Sequence, residues 1–452
     1  MTPKKWGRRV TERARAAWRS WKGDRLLGSV IRNTGYLFSG SMVNMVLSLV
    51  QSVVAAWLLG VAGRGEVYII TTFTSTINRL FSFRMGELVV VYLGQSLAAG
   101  RKDRAAAVVK AAALTEAATS LLAFGLLIFL APWGAVFFGK NAELTPLFLL
   151  YGLIIPGNLM TETSTGVLQV WRRYRSQAWI NVGQSVLTAG LIVAAYLAQA
   201  GMWAVVAAYL LGKMILGIGP MVLAWQSLRV QLGEDWWKTD LSLLPPIKEL
   251  ASFALSTNLS ATLNLVVRDN EILWIAYFLS PYASGLYGVA LAIINLVMVP
   301  ITPFINTTYP ELSRCIAEKN WPRLRRLLRQ VTLIAGGFTG VVGVGLALFG
   351  PWLLTLYGKG PGFVAAYPAL LVLLVGFGSA NTLFWNRSLL LAFNLPGYPF
   401  RVMLVCGLVK VLLAFWVVPA FGFTGEAVLL SAYFVVSVGL IARHGLRQIP
   451  AF

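Results

Sequence analysis

The sequence predicts an all-α integral membrane protein with about 12 transmembrane helices, in two six-helix lobes related by a pseudo-two-fold axis along the membrane normal. Three observations carry this expectation. Apolar residues make up 57% of the 452 and charged residues only 12%, against roughly a quarter charged in soluble domains. The apolar residues arrive in blocks of about 20, the length that crosses a hydrocarbon core of about 30 Å. Finally, the chain repeats itself after about half its length.

The first segment, 1–34, is a basic cytoplasmic N-terminus. Between residues 3 and 32 it carries ten Lys and Arg with Trp6, Trp18 and Trp21 among them, a composition suited to a helix lying on an anionic leaflet. The N-lobe, 35–226, follows with apolar runs at 37–59, 66–93, 111–131, 145–169, 177–199 and 202–226. A cytoplasmic linker, 227–249, has mixed charge with Trp236, Trp237, Pro245 and Pro246. The C-lobe, 250–446, holds runs at 250–279, 284–309, 331–353, 366–392, 399–419 and 424–442, and 447–452 is a cytoplasmic tail.

The formal charge of +21 is mostly an orientation signal. Of 38 Lys and Arg, 29 fall in the termini and the connections on their side, including Arg101, Lys102, Arg104, Arg172, Arg173, Arg175 and the run from Arg323 to Arg329. The opposite connections carry only Arg64, Lys140 and Lys359, so the positive-inside rule puts both termini in the cytoplasm.

The repeat is direct. Pro132, Trp133, Phe138, Gly139 and Lys140 recur as Pro351, Trp352, Tyr357, Gly358 and Lys359, each 219 residues later. Gly65 corresponds to Gly285, Asn158 to Asn381, and Gly201, Ala208 and Tyr209 to Gly425, Ala432 and Tyr433. Six spans per repeat return the chain to its starting side, so the two halves share one orientation and can rock about a central cleft.

Six basic residues remain inside the spans: Arg79, Arg84, Lys213, Arg268, Arg387 and Lys410. Each costs several kcal/mol in hydrocarbon unless it faces water or a partner. The acidic residues within reach are Glu87, Glu116, Glu162, Asp269, Glu271 and Glu426, and Arg84–Glu87 and Arg268–Glu271 have the spacing of local helical pairs. Ser41, Asn44, Ser48 and Gln51 form a polar stripe on the first span, as Ser256, Ser260 and Asn264 do on the seventh, its equivalent in the repeat. Guanidinium groups clamp phosphate oxygens bidentately, so the cargo expected of such a cleft is anionic. Pro156 with Gly157, and Pro300 with Pro303, mark bending points.

Several classes of function are excluded by what is scarce. His444 is the lone histidine, and Cys315 and Cys406 lie far apart, too few parts for a zinc site, a histidine triad or a disulfide framework. No G-x-x-x-x-G-K-[ST] phosphate loop occurs. No catalytic residue, cofactor or metal is expected, nor a nucleic-acid partner.

The stretch Leu58, Leu59, Gly60 through Gly65 to Tyr68, and its second copy Leu279, Pro281, Gly285 and Tyr287, resemble the L-x-P-x-x-x-G-x-Y pattern of the Wzx-like oligosaccharide and polysaccharide flippases. These belong to the multidrug/oligosaccharidyl-lipid/polysaccharide (MOP) exporter superfamily, with a MATE-like fold. The resemblance spans the chain from about residue 30 and implies translocation of an undecaprenyl-pyrophosphate-linked oligosaccharide across the bacterial cytoplasmic membrane by alternating access. It also implies partners in membrane lipids and in a polysaccharide polymerase or glycosyltransferases. Lipid II flippases of this superfamily usually have fourteen spans, so the expected count argues against lipid II. On this reading Arg79, Arg84 and Arg268 neutralise the pyrophosphate, with Arg387, Lys213 and Lys410 as further cations. Asn44, Gln51 and Asn264 contact sugars, and Glu87, Glu162 or Asp269 carries a coupling proton. The alternatives are a cation-coupled multidrug antiporter of the same superfamily and a non-transporting membrane scaffold.

Overall fold

The computed structural model describes residues 25–81, 85–246, 248–250, 262, 265–298 and 302–450. Arg84, Asn264, Ser256, Ser260, Pro300 and most of the basic N-terminal stretch lie outside the described residues. The principal helices among the described residues are α1 Arg25–Phe81, α2 Met85–Ala98, α3 Lys102–Phe137, α4 Thr145–Gly152, α5 Ile154–Gly157, α6 Thr161–Val170, α7 Tyr174–Leu197, α8 Gly201–Leu232, α9 Glu271–Phe278, α10 Pro281–Met298, α11 Thr302–Ala317, α12 Trp321–Gly358, α13 Tyr367–Thr382, α14 Asn386–Ala392 and α15 Gly397–Arg447. A π-helical turn, Leu265–Asp269, precedes α9.

Two of these helices are hairpins. Gly60 in α1 and Gly422 in α15 adopt left-handed backbone, φ 66° and 65°, which favours glycine. Across the first bend Ser52 and Tyr68 come within 3.4 Å, and across the second Lys410 Nζ lies 2.8 Å from Glu426 Oε1. In a straight helix, residues 16 apart would be separated by about 24 Å. Eight stretches among the described residues are long and apolar enough to cross a membrane, and with two folded back they account for ten of the predicted spans. The seventh and eighth predicted spans are described only in part. The expected bend at Pro156 and Gly157 is present, for the fourth span is divided into α4, α5 and α6 around it. The tenth span breaks at the repeat-equivalent place, between α13 and α14.

Each lobe holds more than one hydrophobic core. On one face the cores interlock: the N-lobe cluster around Phe73, Phe148 and Ile155 takes in Leu273 and Ala276, and the C-lobe cluster around Tyr287 and Phe363 takes in Ala56. Two further clusters, Met85 to Trp236 in the N-lobe and Leu312 to Ile449 in the C-lobe, share no residue among those described.

The closed face is held where the repeats meet. Gly65 and Gly285, equivalent in sequence, pack backbone to backbone: a Cβ on Gly65 would stand 1.8 Å from the Pro281 carbonyl oxygen, and one on Gly285 2.2 Å from that of Val61. No larger residue permits that approach. Lys140 and Lys359, also equivalent, share left-handed backbone at φ 55° and 53° and reach across in opposite directions. Lys140 donates to the Tyr277 carbonyl at 3.0 Å, and the Lys359 ammonium lies 4.8 Å from the ring centroids of both Trp57 and Tyr196. Trp57 in turn donates its indole N–H to the Leu356 carbonyl, 3.3 Å away.

Candidate functional site

Two adjoining cavities, of about 350 and 390 Å³, lie between the lobes and share Tyr68, Arg79 and Asp269 in their walls. The first also has Arg64 and Lys213, the second Arg268. Four cations thus face a single carboxylate among the described lining residues. Arg79, on the second half of α1, donates to Asp269 Oδ2 at 2.8 Å, both side chains partly exposed to the cavity. One turn earlier, Thr76 donates to Asn270 Oδ1 at 2.6 Å. These two contacts clasp α1 of the N-lobe to the π-helical turn and its successor in the C-lobe.

The π-turn explains how two consecutive charged residues reach the cavity. Its extra residue per turn widens the helix locally, a distortion found often at functional sites. Arg268 and Asp269 line the cavity while Val267 is buried against Gly407 of α15. The Arg268 guanidinium sits 5.4 Å from the Phe434 ring centroid, within cation–π range. The expected local pair Arg268–Glu271 is therefore corrected: Glu271 is fully buried against Lys410 instead, because the π-turn rotates the two residues onto different sides of the segment.

Arg64 is a second correction. The short connection at Gly60 placed it among external charges, yet α1 folds back at a single glycine and Arg64 sits in the next turn, only 4% exposed. It donates to Ser52 Oγ at 3.0 Å and to the Tyr209 hydroxyl at 3.3 Å, and lies 4.2 Å from the Tyr68 ring centroid. Ser52 is hydrogen-bonded in turn to the C-lobe hydroxyl of Tyr357. The Arg64 Nε is buried with no hydrogen-bond partner. Arg64 thus closes the inner end of the cleft. Its signal in the sequence was its place between Gly60 and Gly65 in the repeated motif.

The other expected residues divide. Lys213 on α8 lines the first cavity and is open to its interior. Arg387 on α14 is exposed, away from both cavities. Lys410 is 3% exposed, in a closed cluster with Glu271 and Glu426. Gln51 spends its amide on the Ser185 carbonyl, 3.0 Å away, joining α1 to α7, and the Asn44 side-chain oxygen is buried without a hydrogen bond. Glu87 and Glu162 are exposed on α2 and α6, whereas Asp269 stands in the cavity. The polar wall is instead a hydroxyl stripe, Thr71, Thr72, Ser75 and Thr76, at helical spacing just before Arg79. Glu116, expected as an acidic partner, accepts the backbone N–H groups of Glu162 and Thr163, each at 2.8 Å, and so caps α6 after the break in the fourth span.

Residues 65–360 match the polysaccharide biosynthesis protein family. The inner membrane protein YghQ of Escherichia coli (strain K12) is 24% identical over 337 residues, 74% of this chain and 94% of its own. Among solved structures, the lipid II flippase MurJ in an inward closed conformation superposes with a TM-score of 0.71 at 14% identity, over 92% of this chain and 88% of that one. An inward-facing multidrug resistance MATE transporter of the MOP superfamily gives 0.68 at 15%, over 90% and 94%. A MOP superfamily transporter from Pyrococcus furiosus, described as having a binding pocket of reversed polarity, gives 0.65 at 15%, over 93% and 95%. Helical lobes about a charged cleft and a family match over most of the chain agree: this chain, with eight described stretches long and apolar enough to cross a membrane, belongs to the polysaccharide biosynthesis protein family, and its fold is the one seen in those solved structures.

Proposed function

We propose that the protein translocates an undecaprenyl-pyrophosphate-linked oligosaccharide from the cytoplasmic to the periplasmic leaflet by alternating access, for surface polysaccharide biosynthesis. The supporting observation is the charge of the cleft: Arg64, Arg79, Lys213 and Arg268 against Asp269. A diphosphate offers several oxygens of concentrated negative charge, and guanidinium forks match them in geometry as well as sign. The hydroxyl stripe from Thr71 to Thr76 is suited to sugar hydroxyls, and the polyprenyl tail stays in lipid beside the cleft. The described cores of the two lobes interlock at one face, which on the positive-inside reading is the periplasmic one. Cargo must bind the two states unequally to bias their exchange. Rupture of the Arg79–Asp269 pair by an entering diphosphate supplies such a difference.

The test replaces Arg79, Lys213 and Arg268 by Gln, singly and together, in a strain that depends on this protein for surface glycan. The triple variant is expected to abolish export at normal protein abundance. Normal export from it would sink the cationic-site reading. Mass spectrometry of the lipid that co-purifies with the wild type identifies the cargo directly.

Asp269 favours a second reading, a cation-coupled multidrug antiporter, since a carboxylate in the cleft is what a cationic drug would need. It predicts drug resistance on overexpression that Asp269→Asn removes, while glycan export is unaffected.

A further inference from the structure

Away from the cleft, the C-lobe encloses a charged cluster that cargo binding leaves unused. Glu271 of α9, and Lys410 and Glu426 of α15 on either side of the Gly422 bend, are 2%, 3% and 0% exposed. Lys410 Nζ bonds to Glu271 Oε1, lies 2.8 Å from Glu426 Oε1 and donates to the Val267 carbonyl at 3.0 Å. Tyr287 of α10 donates its hydroxyl to the second oxygen of Glu271 at 2.9 Å. Tyr433 of α15 interacts electrostatically with Lys410 and Glu271 of the cluster, and also with Cys406 of α15 and Arg268 of the π-turn. Neither oxygen of Glu426 accepts a well-directed hydrogen bond, despite complete burial. Two carboxylates and one ammonium sum to −1, one proton short of neutrality.

We propose that Glu426, within this triad, is the site at which the protein binds and releases the proton that drives its conformational cycle. The inference rests on the transporter reading. The proton passes between water and a Glu426 oxygen, with no further reactant. A metal cation is a poor occupant, because the tethered ammonium of Lys410 already stands between the carboxylates. With Glu426 ionised, the ammonium is drawn toward both carboxylates. With Glu426 protonated, that oxygen becomes a donor and its pull on the ammonium is lost. The movement is felt at once in the cleft: the carbonyl that Lys410 grips belongs to Val267, and the next two residues are Arg268 and Asp269. Lys410 thus connects a buried proton site to the Arg79–Asp269 clasp between lobes.

The test uses full-length protein in phosphatidylethanolamine and phosphatidylglycerol vesicles, titrated from about pH 4 to about pH 9. Infrared difference spectra report the C=O stretch of a protonated carboxyl, and hydrogen exchange reports the backbone of 265–271. The wild type is expected to show the band and about a tenfold change in exchange with one shared midpoint. Glu426→Gln should lose the band and hold exchange at its low-pH value throughout, and Glu426→Asp should restore a titration. A band that survives Glu426→Gln, or exchange at 265–271 that is flat with pH in the wild type, overturns the proposal. If Glu426→Gln does not fold, the wild type decides: one shared midpoint supports the site, and separate midpoints overturn it. Neither readout uses cargo, so a failure of the glycan reading appears in the export assay alone.

Discussion

Arg79 and Lys410 are both basic residues within spans, but they do opposite work. The Arg79–Asp269 pair has side chains 59% and 39% exposed, and pairs with such access to water stabilise by roughly 0–1 kcal/mol. Its value is its readiness to break. Lys410 is sealed with two carboxylates, and removing one partner from a buried ionic cluster costs about 3–5 kcal/mol. Lys410→Met is therefore expected to lower the thermal unfolding midpoint of detergent-purified protein markedly, while Arg79→Gln leaves it near the wild type. Equal midpoints for the two variants would contradict this division. Polarity alone singled out both residues in the sequence. Which was guarded and which was available depended on the turn before α9 and the bend at Gly422, neither of which has a periodic signature.

At the scale of elements, the irregular places carry the chemistry. The fourth span breaks after Gly157, leaving the first N–H groups of α6 without intrahelical partners. Glu116 of α3 supplies the acceptor, 46 residues away in sequence. Glu116→Ala should cost about 1–3 kcal/mol through those unsatisfied donors, read as a lower unfolding midpoint with α-helical content otherwise retained. An unchanged midpoint would show that α6 needs no charged cap. The breaker residues Pro156 and Gly157 were visible as a bending point, but the partner of the break was not, because hydropathy and helical period carry no information about which helix packs alongside.

For the whole molecule, the internal repeat becomes a mechanical symmetry. Lys140 and Lys359 cross the closed face in opposite directions, each onto aromatic residues of the other lobe. At sites reached by water each such contact is worth about 0.5–1 kcal/mol. Lys140→Ala with Lys359→Ala is then expected to raise the population open at that face by about tenfold. A cysteine at Ser52, buried beneath the closed face, checks it in a background where Cys315 and Cys406 are alanine. Its alkylation by an impermeant maleimide should quicken correspondingly, and an unchanged rate would remove the two lysines from the gate. The direction of that face is a further prediction: reporter fusions after residue 450 should be active in the cytoplasm, as the distribution of Lys and Arg demands. Periplasmic activity would invert the transport direction proposed above.

Membrane insertion, two direct repeats and the presence of cations within the spans were determined by the sequence alone, since these follow from local hydropathy, spacing and composition. The equivalence of Gly65 with Gly285 and of Lys140 with Lys359 was also legible. That each pair meets or crosses between lobes was decided only by the tertiary structure. So was the division of the basic residues: Arg64, read as external, lines the cleft, whereas Lys410, read as a cleft cation, is sealed in the C-lobe. The physical reason is that a charge in a membrane must find water or an opposite charge, and the partner it finds is set by the packing of distant helices and by single-residue bends at Gly60, Gly422 and the π-turn.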